Sequence, residues 1–168
     1  MRNPLRANNL ALLLWAALFL PLLSACGRND HVAYSSFVDI GSRGWPSTEL
    51  CVYATALEDS ALFRNPRARY DMILAIRHTG DCPYAELFLP VSQPVVGSPQ
   101  LPDTLRIPLA RRDGTWLGRS SKGVYTLTDT LCRDVPLPLL YSLTLGQAMP
   151  TPYLTGLLSV GLVIERTN

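Results

Sequence analysis

The thiol of Cys26 closes the run Leu23-Ser24-Ala25-Cys26, a branched apolar residue and two small ones followed by sulfur. Small side chains there let a peptidase reach the backbone between Ala25 and Cys26. The Cys26 side chain offers a nucleophilic sulfur able to take a diacylglyceryl group as a thioether. Cys51, Cys82 and Cys132 are then left, an odd set. One bridge with one free thiol, or no bridge, fits that number. Cys82 and Cys132 both lie near turn-like sequence and are the preferred disulfide pair, while Cys51 sits in an apolar run and reads as a small buried hydrophobe. No CxxC or Cys/His cluster has zinc spacing, so no metal site is expected.

The other reactive groups form no constellation. Hydrolysis needs a nucleophile with a base, or two carboxylates in tuned surroundings. Only two histidines are present. His31 belongs to a polar lead after Cys26, and His78, ending an alternating run before a turn, reads as a surface residue. No GxSxG, HExxH or phosphate-cradling glycine loop occurs. Glu58-Asp59 and Asp113 offer oxygens for calcium, but isolated acidic residues supply too few ligands. The sequence points away from an enzyme and implies no cofactor or small-molecule substrate.

The element that positions Cys26 is the run before it. Arg2 and Arg6 precede an apolar block from Leu10 to Leu23, and no acidic residue occurs before Asp30. A charged n-region followed by an apolar h-region is the layout of a secretory signal. The block falls short of the roughly 20 residues that span a bilayer as a helix. Its last four residues resemble the lipobox of bacterial lipoproteins. That assigns residues 1–25 to a lipoprotein signal peptide, places cleavage between Ala25 and Cys26, and makes an acylated Cys26 the attachment to the lipid bilayer. Each buried methylene contributes about 0.8 kcal/mol, so several acyl chains hold far more firmly than one.

With 48% hydrophobic and 17% charged residues, the chain is too apolar for a disordered tail. Taking Arg2 and Arg6 from the 15 basic residues leaves 13, equal to the 13 acidic ones. A neutral mature chain has no general electrostatic pull toward nucleic acid; the stretch holding Arg64, Arg67, Arg69 and Arg77 reads as a solvated surface. Residues 26–36 form the lipidated N-terminus and a short polar lead, and residues 37–168 one domain.

Within that domain the pattern is strand-like. Leu50 to Leu57 is an apolar run. Tyr70, Met72, Leu74 and Ile76 alternate with Asp71, Ile73, Ala75 and Arg77, and Ala85, Leu87, Leu89 and Val91 resume the period of two beyond Gly80-Asp81-Cys82-Pro83. Together these predict a hairpin with a loop of about six residues. Pro108 puts the Leu105–Leu109 strand at a sheet edge or beside a bulge. Asp113-Gly114 opens a loop containing Trp116. Val124–Leu131, Leu139–Leu145 and Leu158–Ile164 supply further strands, and Pro150 and Pro152 allow at most a short helix around Tyr153. The fold class is all-β: an antiparallel β-sandwich of seven to eight short strands, jelly-roll or Ig-like, with little helix.

One ordered series goes beyond fold class. Gly44-Trp45 is followed by Tyr70-Asp71-Met72-Ile73-Leu74-Ala75-Ile76-Arg77-His78 and Pro83-Tyr84-Ala85-Glu86-Leu87-Phe88-Leu89. Then come Asp103-Thr104-Leu105, Gly114-Thr115-Trp116-Leu117-Gly118, Gln147-Ala148-Met149, Gly156-Leu157 and Val160-Gly161-Leu162. In that order, and behind a lipobox, they resemble the GldH gliding-motility lipoproteins of Bacteroidetes. The chain departs from the family pattern at Cys82, Pro136-Leu137-Pro138 and Met149-Pro150. The resemblance implies an envelope lipoprotein without catalytic activity, associated with gliding motility and the type IX secretion machinery. Its partners are then other gliding or secretion lipoproteins of the envelope. Gly27-Arg28-Asn29-Asp30 lacks an acidic run of the kind that suggests surface export in that phylum, which favours an outer-membrane anchor with the domain facing the periplasm.

Three functions compete. For an assembly or stability component, Trp45 and Trp116-Leu117-Gly118 are the candidate interface, because aromatic residues concentrate interface energy; the alternative for Trp45 and Trp116 is that they fold inward and cap the sandwich. A carbohydrate-binding sandwich needs Tyr34, Trp45, Tyr84, Trp116 and Tyr125 to form a flat exposed platform. A hydrolase needs two carboxylates roughly 5–10 Å apart in a cleft.

Overall fold

A computed structural model of the protein describes residues 31–54, 67–93, 98–137 and 141–167. Cys26 and the signal segment lie outside the described residues, as do Glu58, Asp59 and Arg64. No helix occurs among the described residues, and every strand ladder is antiparallel. The strands are β1 (Val32–Asp39), β2 (Trp45–Pro46), β3 (Cys51–Ala54), β4 (Tyr70–Thr79), β5 (Glu86–Ser92), β6 (Thr104–Pro108), β7 (Arg119–Ser121), β8 (Val124–Val135), β9 (Ser142–Leu145), β10 (Tyr153–Leu154) and β11 (Leu157–Arg166). β2, β7 and β10 are too short for alternation to reveal them. Of the eight longer strands, seven fall on predicted runs and β1 does not.

The strands form a five-stranded sheet, β1-β11-β4-β8-β7, a four-stranded sheet, β3-β9-β5-β6, and the small ladder β10-β2. Alternation makes the core. Met72, Leu74 and Ile76 of β4 and Val160, Leu162 and Ile164 of β11 point inward from the first sheet. Tyr53, Leu87, Leu89, Ile107, Leu143 and Leu145 answer from the second, and all are buried in one cluster. Tyr53 spans the two layers, its hydroxyl donating to the Val160 carbonyl at 2.7 Å. A buried phenol keeps its proton when it has such an acceptor, and burial pushes its pKa up.

Two elements differ from the sequence reading. The polar lead gives way at Val32, where β1 pairs with β11 along its length. β1 is an edge strand with one face outside the core, so its mixed sequence hides it. The predicted hairpin of residues 70–91 does not form either: β4 pairs with β11 and β8, while β5 pairs with β6 and β9. The Gly80–Pro83 turn instead carries the chain over the end of the sandwich from one sheet to the other. Thr79 N donates to Gly156 O at 2.8 Å there, and a Cβ at Gly156 would stand 2.5 Å from the backbone of Cys82. Alternation identifies both strands but carries no information about which neighbours they pair with.

The Cys82–Cys132 bridge is also set aside. All three described cysteines are free thiols. Cys82 follows the end of β4, whereas Cys132 pairs with Met72 near its beginning, so most of a ten-residue strand separates them. Cys51 is buried as expected, at 2% exposure. The edge placement of Pro108 holds, since β6 closes one side of the four-stranded sheet. At Tyr153 there is a two-residue strand facing Trp45-Pro46 instead of a helical turn.

The registers give the sandwich two ends. Val32, Tyr70, Val135 and Arg166 mark the end at which the described chain begins; Asp39, Thr79, Val124 and Leu157 mark the far end.

Candidate functional site

Of the aromatic residues singled out from the sequence, Trp45, Tyr84, Trp116 and Tyr125 gather at the far end, while Tyr34 lies toward the other end. Asp113 builds the loop that holds Trp116: its carboxylate accepts the Thr115 N–H at 2.9 Å, which holds its pKa below the usual value. Arg111 N donates to Thr115 O, and Leu117 N to Leu109 O at 2.7 Å. Trp116 is thereby bridged to Ala110 and turned back onto the core, half-buried. Leu117 is half-buried and Gly118 exposed. Gly118 has a positive φ of 86°, and a Cβ there would run into the Thr126 carbonyl, so the close approach of this loop to β8 demands glycine.

Beneath Trp116 lies the residue that the sequence reading misplaced. His78 is 0% exposed rather than on the surface. Trp116 meets its ring edge-on at a centroid distance of 4.8 Å, and Tyr125 stacks on it at 5.3 Å. The Thr79 carbonyl lies 2.9 Å from Nδ1, which assigns the proton to that nitrogen, and Nε2 has no hydrogen-bond partner. The signal was its phase: His78 continues the inward series Met72, Leu74, Ile76. Nε2 is thus buried in a ring that Trp116 and Tyr125 both contact.

Trp45 is not an interface residue, because it is 1% exposed. Its Nε1 donates to Glu49 O at 3.0 Å. Gly44 supplies the positive φ that lets the chain pass Leu154, whose carbonyl would stand 2.7 Å from a Cβ. Gln147, 4% exposed, donates to Thr151 O at 3.2 Å and Trp45 O at 3.4 Å, and accepts from Met149 N at 2.8 Å. Met149 sulfur in turn accepts the Phe88 N–H. The segments Gly44-Trp45 and Gln147-Ala148-Met149 therefore close the far end together.

The sugar platform does not form. Trp45 is buried, Tyr34, Tyr84, Trp116 and Tyr125 are each partly covered, and the planes of Trp116 and Tyr125 are tilted by 45°. Carboxylates are similarly engaged in structure: Glu86 bonds Arg106 at 2.6 Å across the β5–β6 edge, and Asp71 accepts Asp134 N and Thr167 Oγ1 while facing Arg133. Among the described residues no group of three or more His, Cys, Asp or Glu could hold a metal. Burial raises the thiol pKa values of Cys51, to about 11, and of Cys82 and Cys132. A thiol so protonated at neutral pH is a poor nucleophile.

Two hollows of comparable size lie elsewhere. One of about 430 Å³ is lined by Gln93 and residues 98–103. The other, about 450 Å³, lies on the outer face of the five-stranded sheet among Ile73, Gly118, Arg119, Thr126, Thr128 and Val163.

The sequence matches the profile of the GldH lipoprotein family over residues 32–164, β1 through most of β11. The chain belongs to the GldH lipoprotein family. Among curated proteins none matches the chain. Among solved structures, the chain is similar to the Tobacco streak virus coat protein at 10% identity, with a TM-score of 0.30 and 86% of this chain and 91% of that one covered. The nora virus structure gives 11% identity, a TM-score of 0.26, and coverage of 80% and 54%. At such scores these likenesses carry no argument.

Proposed function

We propose that this GldH-family chain is held in the outer membrane through an acylated Cys26, with its sandwich facing the periplasm. There it acts as a non-enzymatic assembly or stability component associated with gliding motility and type IX secretion. The observation that carries the reading is the family match across nearly the whole described domain. The geometry supports it: the one internal histidine is sealed behind rings, the thiols are held protonated, and several carboxylates are engaged in structural bonds. A tether confines the domain to the membrane plane, where weak contacts suffice because effective concentration is high. The partners in this reading are other gliding or secretion lipoproteins of the envelope.

Deletion of the gene tests it. Reduced levels or secretion of other envelope components, restored by the wild-type chain and not by Cys26→Ser, is the expected result. Normal secretion, normal motility and unchanged envelope composition would contradict it.

A further inference from the structure

An antiparallel sheet that faces water alternates apolar inward positions with polar outward ones. The central strands of the five-stranded sheet break this rule. Their outward positions include Ile73 and Ala75 on β4 and Gly161 and Val163 on β11, neighbours in the ladder. Phe37 of β1 covers Gly161 so closely that a Cβ there would collide with it. Phe37 itself remains 46% exposed. Beyond the ring the same face dips into the 450 Å³ trough, which runs from Val163 and Glu165 of β11 across Ile73 of β4 to Thr126 and Thr128 of β8 and Gly118 and Arg119.

The knob and the hollow stand at one height. Phe37 pairs with Gly161, Gly161 with Ala75, and Ala75 with Thr128 of the trough. The charges are divided in the same sense. One row toward the far end runs Asp39, Ser159, Arg77, Thr126, Arg119, with the acid on one edge strand and the base on the other. Toward the opposite end, Glu165 of β11 flanks Asp71 on one side, and Arg133 of β8 reaches Asp71 from the other at 3.5 Å. Asp39 and Glu165 thus lie on the β1–β11 side with the projecting ring and Arg133 and Arg119 on the β8–β7 side, while the trough crosses β4 and reaches its β7 rim at Gly118 and Arg119.

A two-fold axis along β4 exchanges β1 with β7 and β11 with β8 and leaves every height unchanged. We propose that this face is an isologous interface between two copies of the chain. Phe37 of each copy enters the trough of the other, Asp39 meets Arg119, and Glu165 meets Arg133. The two Arg77 residues on the axis oppose pairing. Both copies point residue 31 the same way, as anchorage in one bilayer requires; that last point rests on the lipidation reading, and the match of rows does not. Four strand spacings of about 4.8 Å and about eight residues of 3.3 Å give roughly 500 Å² of face per copy. Twice that is near the lower bound of about 1,000 Å² for a specific interface. The pair is therefore weak in dilute solution and favoured in the membrane plane.

Cross-linking of the full-length protein in its own envelope tests this. F37C and T128C are introduced together, and the membranes are treated with a bismaleimide able to bridge the roughly 10 Å between stacked sheets. The expected result is a cross-linked dimer in the double variant and little in either single variant. D39R should reduce the yield and adding R119D should restore it, a rescue that damage to the fold would not produce. A double variant that cross-links no better than the single ones, or a yield indifferent to both charge reversals, would overturn the interface. The mass of the Cys26 peptide, read from the same samples, reports acylation separately.

Discussion

Trp116 and Phe37 are both aromatic residues set against glycine, and they stand in opposite relations to the fold. Trp116 is turned inward by its own loop, covers His78 and passes close to β8 only because residue 118 has no side chain. Phe37 lies on the outer face of a finished sheet, covers Gly161 and remains open to its surroundings. The far end satisfies most of its own groups, through Gln147 to Trp45, Met149 to Phe88 and Thr79 to Gly156. The outer face of β1, β11 and β4 leaves Phe37 exposed and Ile73 and Val163 only partly covered. An aromatic residue beside glycine thus marks a packing constraint in one place and a contact surface in the other. What separates the two is whether the neighbouring strand keeps its alternation.

The contrast makes graded predictions. Trp45→Ala empties a fully buried site and should cost about 3–5 kcal/mol in a urea titration. A cost near zero would mean that the far end is not structural. Gly118→Ala should cost more than about 2 kcal/mol, since a Cβ meets the Thr126 carbonyl on top of the positive-φ penalty. Gly123→Ala, with similar φ but open space around it, should cost only about 1 kcal/mol.

Alkali gives a smaller effect. The Cys51 thiol moves from 9.0 to about 11 because burial disfavours its charged form. The unfolded chain therefore releases this proton first as pH rises, and stability present below pH 9 should fall progressively toward pH 11. Melting curves of the wild type and of Cys51→Ala across that range should differ in slope. Parallel curves would show that the thiol is not buried as described. The smallest change belongs to the outer face: Phe37→Ser should shift stability by less than about 1 kcal/mol. A large loss would make Phe37 part of the scaffold.

Much of this was legible in the residues. Alternation located β4, β5, β6 and β11, Pro108 marked an edge, and the ordered motifs gave the family. Strand pairing was not legible, because a period of two says which face a residue occupies and nothing of its neighbour; hence the hairpin of residues 70–91 that does not form. β1 was hidden by the polar residues that an edge strand tolerates. His78 was misread from its type, although its phase with Met72, Leu74 and Ile76 already placed it inside. The apolar outward residues Ile73, Ala75, Gly161 and Val163 were equally visible in the sequence. They acquire meaning only once β1, β11, β4 and β8 are known to lie side by side.

Hydroxyl-radical footprinting of the protein in intact envelopes, compared with the purified chain in detergent, tests that contrast most directly. The account predicts that oxidation at Phe37 and Val163 falls in the envelope while Trp116 is equally protected in both preparations. Protection that appears at Trp116 and leaves Phe37 unchanged would contradict it.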